Sequence, residues 1–159
     1  MSAKGIRDID VIRTFVLQGT LNFTRYFFKI RQKRKFVIGK HHREIAAALD
    51  KVLCGEITRL IINIAPRYGK TELAVKNFIA EGLAINPKAK FIHLSYSDDL
   101  ARDNSRGVQD IINEPEYRRI FPATIPTSTN TKKWYTTEGG GLYAVSSAGQ
   151  VTGFGAGLV

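Results

Sequence analysis

Two short apolar runs, each followed by a helical stretch, restrict most strongly how this chain can fold. The runs are RLIINIA at residues 59–65 and KFIHLS at Lys90–Ser95. Helical spacing of apolar residues follows them at residues 71–83 and from about 98 to 112. Such runs are typical of strands buried in a parallel sheet, and their alternation with helices is typical of α/β folds. The sequence therefore predicts an α/β protein with a parallel sheet and flanking helices.

The first third of the chain predicts a helical preface to this sheet. Apolar spacing predicts helices over residues 9–17, 21–30 and 41–53, with Gly19 separating the first two. Residues 136–146 predict a hairpin around three consecutive glycines, and a glycine-rich loop follows it. The last two residues, Leu158 and Val159, are interpreted as the start of a further strand.

Positive charge is concentrated in the first forty residues. The formal net charge is +10, of which residues 1–40 carry +8 and the rest of the chain +2. A basic arm favours contact with a polyanion such as DNA, and a solvated helix face is an equally open explanation. Aromatic residues at positions 23–28 either stack on nucleic acid or, the favoured interpretation, pack in the core. The candidate DNA-binding side chains are Lys29, Arg31, Lys33, Arg34 and Lys35.

The segment IAPRYGKTE, residues 64–72, carries the clearest chemical signal. Gly69, Lys70 and Thr71 stand between a predicted strand and a predicted helix, where a phosphate-binding loop belongs. Glycine lets the backbone approach phosphates, lysine reaches the β- and γ-phosphate oxygens, and the threonine hydroxyl binds Mg²⁺. The usual pattern begins with a glycine where this chain has Ile64. The predicted ligands are ATP and Mg²⁺; a basic helix start without a ligand is the alternative.

The motif P-R-Y-G-K-T at residues 66–71 resembles the altered phosphate loop of phage terminase large subunits, which commonly read P-R-x-G-K-S/T. Residues 93–112, HLSYSDDLARDNSRGVQDII, resemble that family's second strand and following helix. Residues 144–159 resemble the segment that leads into its Walker B strand. The resemblance covers about residues 36–159. It implies a P-loop NTPase-type parallel sheet, with a basic helical arm over residues 1–40 and an incomplete ATPase domain over residues 41–159.

The resemblance also implies a function. Large terminases use ATP hydrolysis to package double-stranded DNA into the procapsid, in the host cytoplasm and without a membrane. They act as a homo-oligomeric ring with the portal protein and the small terminase subunit. The acidic Walker B pair is expected after Val159, so the chain alone is expected to hydrolyse no ATP above background. A non-catalytic nucleotide- or DNA-binding remnant and a helicase-like P-loop ATPase are the alternatives.

The family's site residues carry over onto the matching positions. Lys70 and Arg67 are the catalytic candidates, and Thr71 is the Mg²⁺ ligand. The complete nucleotide-binding set is Pro66, Arg67, Tyr68, Gly69, Lys70, Thr71 and Glu72.

Other positions remain open at this stage. The residues that lie where related ATPases place adenine contacts are Phe36, His41 and His42, and ordinary packing explains them equally well. Many terminases have a trans-acting arginine where this chain has Thr152, which leaves Arg102 or Arg106 as substitutes. The acids near residue 98 are interpreted as a helix cap and first-turn charges rather than a metal site.

Overall fold

The computed structural model describes residues 7–149 and 153–156. This part of the chain is mixed α/β, with helices packed around a small three-stranded sheet. The elements in chain order are α1 (Asp8–Val16), α2 (Thr20–Gln32), α3 (Lys40–Leu53), a π-helix (Glu72–Asn77), α4 (Phe78–Ile85), β1 (Lys90–Ser95), α5 (Asp98–Asn113), α6 (Pro115–Ile120), β2 (Lys133–Tyr135) and β3 (Gly141–Ser146).

The predicted helical preface is confirmed, and two aromatic residues of α2 belong to the core. Phe23 and Phe27 of α2 are fully buried, with their ring centroids 4.6 Å apart. Tyr117 of α6 packs on Phe27 at 5.3 Å, and its hydroxyl donates a hydrogen bond to the Ala80 carbonyl. Burial of each such ring contributes about 2–3 kcal/mol. Core packing, the favoured interpretation of this aromatic stretch, is therefore correct for Phe23 and Phe27.

The sheet is mixed rather than parallel. Its strand order is β1-β3-β2, with β1 parallel to β3 and β2 antiparallel to β3. The predicted hairpin is confirmed, although its first strand lies at Lys133–Tyr135. Gly140 is required in the turn, because a Cβ there would lie 2.2 Å from the Pro87 carbonyl oxygen. The turn thereby packs directly against the chain that leads into β1.

The strand predicted at residues 59–65 is not formed. Ile61 is 86% exposed, whereas burial on both faces was predicted, and only Ile62 and Ile64 pack against the core. A strand is stable when a neighbour satisfies its backbone groups, and within the described residues no strand pairs with this segment. The free side of β1 is also less buried than predicted, with Leu94 49% exposed. An apolar groove of about 670 Å³ therefore runs between the segment and β1.

A carboxyl group lies inside the core. Glu81 of α4 is 1% exposed, and one of its carboxyl oxygens has no hydrogen-bond partner. Burial raises its pKa to about 8, and the nearby charge of Asp50 adds to this shift. Burying a charged carboxylate is costly, so the side chain holds its proton at neutral pH.

We predict that Glu81→Gln flattens the pH dependence of stability. The folded-state pKa of about 8 lies above the ordinary glutamate value of 4.5, so the folded state binds this proton more tightly. That contribution is complete at low pH and is lost as the pH rises from about 4.5 to about 8. The wild-type Tm should therefore fall across this range by several degrees more than the Tm of the Gln variant. Thermal melts followed by circular dichroism measure this, with the exposed Glu56→Gln as control. Parallel pH profiles for the wild type and Glu81→Gln would contradict the prediction.

Candidate nucleotide-binding site

The backbone of residues 66–71 has a conformation suited to anion binding. Arg67 (φ 68°) and Gly69 (φ 74°) are left-handed, and Thr71 is already helical. The Leu73 amide donates to the Gly69 carbonyl at 3.0 Å, so a continuous helical stretch begins within the loop and runs to Ile85. Left-handed residues in a tight turn can direct backbone amides towards an anion, and a helix start adds free N–H groups. The predicted location of the loop at the start of a helix is confirmed.

The predicted phosphate and Mg²⁺ ligands are uncommitted. Arg67 and Lys70 are exposed, and Thr71 is half-buried. Within the described residues, none of these three side chains has a hydrogen-bond or ion-pair partner. Two cations and one hydroxyl are therefore available beside the amides of the loop. Pro66 is exposed, and the Tyr68 ring, 54% exposed, lies edge-on to His41 with centroids 5.5 Å apart.

An aromatic platform supports the loop from the protein side. His42 of α3 is 6% exposed, and its Nε2 lies 2.8 Å from the Tyr68 carbonyl oxygen. The Phe36 ring packs on His42 with centroids 4.9 Å apart. A Cβ on Gly69 would lie 3.0 Å from His42 Nε2 and 3.4 Å from Phe36 Cζ. Burial lowers the pKa of His42, which favours the neutral ring. Phe36 and His42 thus pack against the loop, which agrees with their interpretation as ordinary packing residues.

Glu72 is turned away from the loop and towards α2. Its carboxylate pairs with Arg31 and accepts from Asn77 Nδ2 at 3.0 Å, with Lys76 4.0 Å away. The Arg31 side chain is only 9% exposed. The predicted nucleotide-binding Glu72 and the predicted DNA-binding Arg31 are therefore partners of each other. Removal of one member of such a pair leaves an uncompensated charge, at a cost of about 3–5 kcal/mol.

The helix that follows the loop begins with a π-helical turn. Residues Glu72–Asn77 are π-helical, and the buried Asn77 side chain donates to the Glu72 carbonyl at 2.8 Å. π-helical turns are rare and frequent at functional sites. The helical spacing alone did not predict this turn. The one signal in the sequence was a pair of polar residues, Asn77 and Glu81, four positions apart among the apolar residues of this helix.

The remaining candidates are distributed as follows. Lys29, Lys33, Arg34 and Lys35 are exposed at the end of α2 and beyond it. Ser97 caps α5 by accepting from the Leu100 amide. Asp98 accepts from the Ser146 amide at 2.9 Å, and hydrogen bonds from Ser146 lower its pKa.

The candidate arginines and the other acids of α5 lie elsewhere on the surface. Arg106 pairs with Asp103 at 3.6 Å, and Arg102 and Asp99 are exposed. Thr152 lies outside the described residues. Across the ranges 7–149 and 153–156, no three His, Cys, Asp or Glu side chains converge as metal ligands. Within the same ranges, every helix is too short or too polar to cross a membrane.

A scan against protein-family models, a search of curated proteins and a search of solved structures each return no match for this chain.

Proposed function

We propose that this chain binds ATP with Mg²⁺ at residues 66–71 and is the N-terminal ATPase portion of a phage terminase large subunit. The observation that carries the proposal is the loop itself, whose left-handed Arg67 and Gly69 lead directly into a helix. Beside these amides lie the uncommitted side chains of Lys70, Arg67 and Thr71. This combination of amides, cations and one hydroxyl fits a triphosphate.

Each of these groups has a distinct role in the proposed site. Lys70 binds the β- and γ-phosphate oxygens, and Arg67 neutralises charge that develops on the transferring phosphoryl group. Thr71 would contribute one oxygen ligand to a bound Mg²⁺. When bound, the metal supplies charge neutralisation and phosphate positioning.

ATP hydrolysis requires a group that activates water. The carboxylate nearest to the loop is Glu72, and it has other partners. Glu72 pairs with Arg31 and accepts from Asn77. It is therefore unsuited to act as a general base, which must reach the attacking water directly. We expect this chain to bind nucleotide tightly enough to measure and to hydrolyse none above background. In the complete motor, hydrolysis drives double-stranded DNA into the procapsid, with portal and small terminase as partners in the host cytoplasm.

Lys70→Ala is predicted to weaken Mg·ATP binding about tenfold to a hundredfold, because charge-assisted hydrogen bonds to the phosphates are lost. Isothermal titration calorimetry with Mg·ATP measures the change. The exposed Lys51→Ala removes a lysine of α3 that lies outside the loop and serves as the matched control. Equal affinity of the wild type and Lys70→Ala would refute the proposed site.

DNA binding is assigned to the exposed basic residues beyond α2. Replacement of Lys33, Arg34 and Lys35 by Ala should lower the slope of log Kobs against log salt by up to about 3, since each phosphate contact contributes about 0.9. Fluorescence anisotropy with two duplexes of unrelated sequence measures this slope. Arg31→Ala should leave the slope unchanged and lower the Tm, because Arg31 pairs with Glu72 in the interior. A triple variant with the wild-type slope would exclude these residues as the DNA contact.

A further inference from the structure

His42 is held between two backbone groups that determine which of its nitrogens carries the proton. Its Nδ1 lies 2.9 Å from the Gly39 amide nitrogen, and its Nε2 lies 2.8 Å from the Tyr68 carbonyl oxygen. A backbone N–H can only donate and a carbonyl can only accept. Nδ1 is therefore unprotonated, and Nε2 carries the hydrogen that it donates to Tyr68. Only the neutral Nε2–H tautomer makes both bonds at once.

The bond to Tyr68 has a consequence for the next amide of the loop. A trans peptide is planar, with its C=O and N–H groups pointing in opposite directions. The Tyr68 carbonyl points at His42, so the amide N–H of Gly69 points away from the platform and towards the open side of the loop. Rotation of this peptide plane changes ψ of Tyr68 and φ of Gly69, and a glycine at φ 74° has the conformational freedom that such a rotation needs.

A second contact holds the same peptide in place. The Gly69 Cα rests on the platform so closely that a Cβ there would lie 3.0 Å from His42 Nε2 and 3.4 Å from Phe36 Cζ. The His41 ring lies beside His42 at a tilt of 46°, with centroids 3.9 Å apart, and their Nε2 atoms lie 3.1 Å apart. Because the His42 Nε2 hydrogen is directed to Tyr68, the adjacent Nε2 of His41 is best accommodated unprotonated.

We propose that His42 is a positioning residue, which as its Nε2–H tautomer orients the Tyr68–Gly69 peptide so that the Gly69 amide faces the bound phosphate. This inference rests on the proposed nucleotide-binding function of the loop. It assigns to a residue of α3, 26 positions before Tyr68, the orientation of one phosphate-binding amide.

Two variants separate the donated hydrogen bond from the bulk of the ring. His42→Phe retains an aromatic ring and loses both hydrogen bonds, whereas His42→Gln retains a side-chain N–H that reaches the Tyr68 carbonyl. We expect His42→Phe to weaken Mg·ATP binding about fivefold to tenfold and His42→Gln to weaken it less than about threefold. Calorimetric titration measures both, and thermal melts verify that each variant is folded. Equal losses in the two variants, or no loss in either, would overturn the proposal.

A measurement without nucleotide keeps the inference independent of the proposed function. The imidazole nitrogen shifts of His42 in the ¹⁵N-labelled chain should report an Nε2–H tautomer, and the Gly69 amide resonance should move in His42→Phe. An Nδ1–H tautomer in the wild type would overturn the inference even if His42→Phe were too unstable to study, and an unchanged Gly69 resonance in folded His42→Phe would overturn it as well. If the tautomer is as expected and the wild type fails to bind Mg·ATP, the proposed function fails while the positioning contact stands.

Discussion

The proposed site depends on the attachment of the loop at residues 66–71 to the N-terminal helices. His42 of α3 holds the Tyr68 carbonyl, and Arg31 of α2 holds Glu72 at the start of the following helix. These two contacts lie on either side of Lys70 and Thr71. An exposed loop with two left-handed residues has few interactions of its own, so its conformation is determined by what it rests on. The helical preface is therefore part of the site.

The Arg31–Glu72 pair and the apolar packing of α2 differ in energetic character. The Arg31–Glu72 pair is nearly buried, and desolvation of both charges offsets most of their attraction. Its main effect is to fix the orientation of the helix start. The hydrophobic contribution comes from α2, where Phe23 and Phe27 are fully buried against the same core as Leu73. The apolar face of α2 thus stabilises the packing, while its Arg31 sets the geometry of the loop.

Local patterns predicted much of this fold. Apolar periodicity located α1 to α5 but not α6, and the Gly69-Lys70-Thr71 motif located the loop at a helix start. The strand at residues 59–65 was predicted wrongly, because apolar composition records the tendency to be buried and not the presence of a pairing neighbour. The roles of Arg31 and His42 could not be read from spacing. Their partners lie 41 and 26 residues away, and only the packing of the helices brings them together.

The most direct test of the central claim is a titration of the ¹⁵N-labelled chain with Mg·ATP, followed through its amide resonances. The account predicts that the largest shifts, together with slowed hydrogen exchange, occur at Gly69, Lys70 and Thr71, where the amides receive the phosphates. Smaller shifts are expected at Tyr68 and His42, which support them. Shifts confined to other surfaces, or no shifts at millimolar nucleotide, would contradict the claim that residues 66–71 form a phosphate-binding loop.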